Sequence, residues 1–135
     1  MFPMVGLEDG TYTVVFQWAA AGVFPDLMFR CGAAFGNDLI EVIFNTDAGY
    51  ISLNTYTGGT PTVNVVNHGG YTMTPNVDHT VIITLAGTQI SLSFDGVAAA
   101  EWQEVTIPAA VGHNFIPRVT GGDDGIGTFK SIQVD

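Results

Sequence analysis

The stretch His79-Thr-Val-Ile-Ile-Thr-Leu-Ala-Gly-Thr-Gln-Ile-Ser-Leu-Ser-Phe-Asp-Gly96 decides the fold class. Val81, Ile83 and Leu85 recur at period two, and Ile90, Leu92 and Phe94 do so again after Ala86-Gly87-Thr88. Side chains alternate faces along a strand, so this pattern predicts two strands, each with one buried face, joined by a short glycine-bearing turn. Gln89, Ser91 and Ser93 take the opposite face. Asp95-Gly96 tolerates positive φ and turns the chain into a third strand, expected over Val97 to Trp102.

The same alternation extends outward in both directions. Tyr12, Val14, Phe16 and Trp18 share one face of an opening strand over Thr11 to Trp18. Further strands are predicted at Leu27 to Cys31, Leu39 to Phe44, Tyr50 to Tyr56, Thr62 to Val66, Phe115 to Val119 and Phe129 to Val134. Turn residues separate them, as in Thr46-Asp-Ala-Gly49 and Thr57-Gly-Gly-Thr-Pro61. Short strands without helical intervals predict an all-β, antiparallel two-sheet β-sandwich with little or no helix, as one domain over 1–135. The 47% hydrophobic content against 12% charged supplies a core, and 17 glycines with 6 prolines suit short strands and turns.

The order of motifs is GTYTVVFQW (10–18), LMFRCG (27–32), DLIEVIF and GYISLNT (38–44 and 49–55), DHTVIITLAGTQISLSFDG (78–96) and GTFKSIQVD (127–135). This order resembles the laminin-G-like and concanavalin-A-like lectin jelly-roll superfamily over nearly the whole chain. The alternation by itself also fits another jelly roll or an immunoglobulin-like sandwich. The resemblance implies that the closing strand lies beside the opening one, that His79 before the hairpin is structural, and that calcium can sit at a loop rim.

Thirteen acidic residues stand against three basic ones, Arg30, Arg118 and Lys130, for a formal charge of −10. Such a surface repels phosphate backbones and anionic membranes, which argues against nucleic-acid and membrane partners. Cys31, the single cysteine, has no intramolecular disulfide partner and sits in an apolar strand as a small core residue. The N-terminal Met-Phe-Pro-Met-Val-Gly-Leu-Glu-Asp-Gly lacks a basic n-region, so no signal peptide is expected.

Catalytic patterns are weak. Glu101 and Glu104 are three residues apart, which sends their carboxylates to opposite faces of a strand, and Glu41 reads as an outward strand residue. His68, His79 and His113 have no His or Cys companion at metal-ligand spacing, and no nucleophile-elbow sequence occurs. An enzyme is not expected. The expected cofactor content is none, with calcium as the one candidate, at Asp123 and Asp124 within Gly121-Gly-Asp-Asp-Gly125. Two carboxylates cannot complete a sphere of about six to eight oxygens, so Asp9, Asp47 or Asp78 would have to converge there.

A polar-aromatic tract supplies the candidate ligand-binding residues Tyr50, Asn54, Tyr56, Asn64, His68 and Tyr71. Alternation turns Tyr50, Ser52, Asn54 and Tyr56 outward and Ile51 and Leu53 inward. Two functions follow as expectations. One is a non-catalytic structural or adhesion module of a virus or phage particle, of capsid-decoration or tail-fibre type. It would act through protein contacts, at the virion surface and as a homo-oligomer. The alternative is an extracellular carbohydrate-binding module that takes glycans on the Tyr/Asn-rich face.

Overall fold

The computed structural model describes residues 4–5, 8–19, 24–32, 38–67, 70–102, 105–108, 114–120 and 127–135. Its strands are β1 (Met4–Val5), β2 (Gly10–Trp18), β3 (Phe24–Cys31), β4 (Leu39–Asn45), β5 (Tyr50–Thr57), β6 (Thr60–Asn67), β7 (His79–Ala86), β8 (Gln89–Phe94), β9 (Val97–Ala98), β10 (Asn114–Thr120) and β11 (Gly127–Val134). They form two antiparallel sheets, a six-stranded one ordered β1-β10-β3-β4-β5-β6 and a five-stranded one ordered β11-β2-β7-β8-β9. The closing strand pairs with the opening one, Phe129 opposite Phe16 and Ile132 opposite Val14, as the lectin-like resemblance implies.

The core lies between the sheets and follows the alternation. Tyr12, Val14, Phe16 and Trp18 of β2 meet Ile40, Val42 and Phe44 of β4 and Ile51 and Leu53 of β5, all nearly inaccessible to solvent. Val81, Ile83 and Leu85 face inward with Ile90, Leu92 and Phe94. Burying each such side chain contributes about 1.5–3 kcal/mol, so this apolar layer is the main force holding the sheets together.

Tight turns set the register. Asp95 and Gly96 adopt φ of +47° and +84° between the paired residues Phe94 and Val97. That left-handed pair matches the twist of the flanking strands, and Gly58-Gly59 closes β5–β6 in the same way at +56° and +77°. His79 is structural here: its Nε2 lies 2.8 Å from the Thr74 carbonyl and its Nδ1 2.6 Å from Asp95 Oδ2.

Three elements differ from the sequence expectation. The strand expected over Val97 to Trp102 stops at Ala98, and Ala100–Trp102 forms a 3-10 turn. Ala99 N–H donates to the Leu92 carbonyl and Trp102 N–H to the Ala99 carbonyl, which curls the chain and drops the Trp102 side chain into the core. Strand β1 has two residues, too few to show any period. Strand β3 carries an irregularity at Arg30, whose φ is +52° and whose side chain is buried. Its guanidinium donates to the Glu8 carbonyl (2.7 Å), the Pro108 carbonyl (3.0 Å) and Asp9 Oδ1 (2.9 Å), so those donors offset the backbone strain and the buried charge.

Candidate functional site

The outer face of the six-stranded sheet carries a continuous polar row. Cross-strand register brings Arg118 of β10 opposite Asp26 of β3, Glu41 of β4 opposite Asn54 of β5, and Asn54 opposite Asn64 of β6. Paired residues project to the same side of a sheet, so these five groups meet on one surface. Arg118 Nε donates to Asp26 Oδ2 at 2.6 Å and Nη2 to Glu41 Oε1 at 2.9 Å. Asn54 Nδ2 donates to Glu41 Oε2 at 3.4 Å, and Asn64 Nδ2 to Asn54 Oδ1 at 2.6 Å.

The row runs from buried to exposed. Asp26 is 0% exposed and Glu41 7%, the Arg118 side chain is 29% exposed, and Asn64 is open to solvent. Arg118 and Asn54 donate to the carboxylates, and Asn64 donates to Asn54 at the exposed end of the row. Burial pushes Asp26 up to about 7; the Arg118 hydrogen bond opposes this and the neighbouring Glu41 adds to it. Burial pulls the Arg118 guanidinium down, yet Asp26 and Glu41 outweigh burial and hold it above its ordinary value.

Two flanks border the row. On one side Met28, Cys31, Leu39 and Ile116 form a small apolar cluster with Tyr56 packed against it. Cys31 is therefore buried as expected, but in this outer cluster rather than between the sheets, and burial followed by the charge of Asp26 pushes its thiol up to about 11. A recess of about 290 Å³ next to Tyr56 is lined by Arg30, Asp38, Leu39, Ile40, Tyr56, Thr57 and Pro108. On the other side lie Ile43, Ser52, the exposed Val66 and the Asn45–Tyr50 pair, in which Asn45 Nδ2 donates to the Tyr50 hydroxyl at 2.9 Å.

The structure sorts the sequence-predicted site residues. Tyr50, Asn54, Tyr56 and Asn64 share this face. Tyr71 does not: it is 8% exposed, belongs to the core cluster and meets Phe94 edge-on at 5.7 Å. Its ring fills space between the sheets, which corrects its assignment as a ligand-binding residue. Burial, followed by the charge of Glu101, pushes its hydroxyl up to about 12. His68, Asp123 and Asp124 lie outside the described residues. Of the carboxylates expected to help them, Asp9 binds Arg30 and the Gly87 N–H, and Asp78 pairs with Lys130 at 2.6 Å. Sequence reasoning missed Asp26, Glu41 and Arg118 as a unit. The available signal was that Asp26 and Arg118 each stand inside an apolar strand, where a charge demands a partner.

No family model matches the chain, and no curated protein matches it. Solved structures do resemble it. Sheep galectin-11, in complex with glycerol, superposes with a TM-score of 0.75 at 10% identity over 98% of this chain and 94% of its own. A Caenorhabditis elegans galectin gives 0.72 at 18% identity over 99% and 88%, and the carbohydrate-binding module CBM66 of Bacillus subtilis gives 0.62 at 12% over 99% and 77%. The laminin-G-like label has no counterpart in these structures. What they show is the fold of this chain, a galectin-like two-sheet β-sandwich.

Proposed function

We propose that this protein is a non-catalytic saccharide-binding domain whose ligand lies across the outer face of the six-stranded sheet. The observation that carries this reading is the polar row Arg118–Asp26–Glu41–Asn54–Asn64, which reaches solvent between Tyr50 and Tyr56. Saccharides present closely spaced hydroxyls and apolar ring faces. An array that alternates acceptors with amide donors beside aromatic rings suits both features. The similarity to galectins and to a carbohydrate-binding module supports this assignment over a virus-particle component. An extracellular location is part of the proposal.

The test is a glycan array probed with the purified chain and with the Asn54→Ala/Asn64→Ala double variant. Selective binding lost in the double variant is the expected result. A bare array at high protein concentration, or equal binding by the variant, would sink the proposal.

A further inference from the structure

Asp26 and Glu41 are two carboxyl groups held against one guanidinium. Asp26 is fully buried, yet its Oδ1 has no hydrogen-bond partner among the described residues. A buried oxygen without a donor is costly. Glu41 shares the Arg118 guanidinium with Asp26, but an ionised carboxylate has no hydrogen to give. Two such groups on one guanidinium repel unless one carries a proton, and a proton on Oδ1 removes its need for a donor.

We propose that Asp26 and Glu41 hold one proton between them, and that its release regulates ligand binding on this face. The inference deepens the saccharide reading and rests on it. With the proton in place, one carboxylate balances Arg118 and the row is neutral, matched to uncharged polyhydroxyl ligands. Without it the row is anionic, and Glu41 is driven away from Asp26 toward Asn54, the next group along the row. Among the described residues, the titratable and charged groups facing Asp26 are Glu41 from β4, Arg118 from β10 and Cys31 on its own strand. The raised value of Asp26, about 7, places release in the neutral range.

The test follows the Asp26 and Glu41 carboxyl carbons and the Asn54 and Asn64 side-chain amides by NMR, from about pH 5 to about pH 9. The expected result is an Asp26 carboxyl titration with a midpoint near 7, matched by shifts of both amides. In Asp26→Asn, whose amide mimics the protonated acid, the two Asn resonances stay flat. Glu41→Gln gives the same flat response if Asp26→Asn does not fold. Carboxyls ionised throughout the range, or amides that ignore the midpoint, overturn the shared proton. For a neutral oligosaccharide selected on the array, affinity changes at least roughly threefold across the midpoint in the wild type and not in Asp26→Asn. Constant affinity while the pair titrates overturns the regulatory role. Absence of any saccharide binding removes the saccharide reading and this role with it, while the carboxyl titration still decides the proton.

Discussion

The imidazole of His79 lies flat on the indole of Trp18, with ring centroids 4.6 Å and planes 16° apart, and Phe94 stacks on it at 5.0 Å and 26°. Its Nε2 faces a carbonyl and must donate, while Nδ1 faces the Asp95 carboxylate. Asp95 also receives the Thr80 N–H, so the His79 and Asp95 side chains together tie the start of β7 to Thr74 and to the turn after β8.

Replacing His79 by Ala should lower unfolding free energy by about 3 kcal/mol, through a core cavity and two lost hydrogen bonds. Asp95→Asn should cost less, because Asp95 is partly exposed. Urea denaturation of both variants and their double mutant measures the coupling; additive losses would show that the two residues act independently.

Arg118→Met should be more damaging at alkaline than at acidic pH. The substitution leaves Asp26 and Glu41 buried without a counter-charge, a loss of about 3–5 kcal/mol near pH 8. Near pH 5 the orphaned Asp26 carboxyl is protonated and much of the penalty disappears. Urea midpoints at the two pH values check this, and a penalty independent of pH would contradict it.

Asp26 makes its own signature in stability. Its folded value, about 7, is raised above the ordinary 3.8, so the native state binds this proton more tightly than the unfolded chain does. Its contribution is full below about 3.8 and is lost as pH rises through about 7. Between about pH 5 and about pH 8 the wild type should therefore lose on the order of 2 kcal/mol more than Asp26→Asn. Equal slopes for the two proteins would show that Asp26 is ionised throughout.

Tyr71→Phe should leave saccharide binding unchanged and keep or raise stability by about 1 kcal/mol. The Tyr71 hydroxyl is buried with no hydrogen-bond partner among the described residues, so its removal abolishes an unpaid desolvation cost. A clear loss of saccharide binding would return Tyr71 to the site; thermal melts and the glycan array provide the two measurements.

Strand alternation made most of the fold legible, because one face of β2, β7 and β8 is consistently apolar. Two of the five groups in the polar row were legible for the same reason: Asn54 and Asn64 lie in strands joined by a Gly-Gly turn, so local register brings them together. The other three were not. Asp26 and Arg118 are 92 residues apart, and no local pattern says that β10 inserts between β1 and β3. Tyr71 was misplaced because the segment before β7 has no period from which to read which way a ring points, and burial there is decided by Phe94 across the core.

That same 92-residue separation makes the row a late product of synthesis. Asp26 and Glu41 leave the ribosome long before Arg118, and until β10 arrives they have no cation to settle against. A chain halted before residue 114 would carry both acids and a gap in the six-stranded sheet, with the edges of β1 and β3 exposed to neighbouring chains. Ligand binding on this face would therefore report that β10 has been made and has docked between β1 and β3.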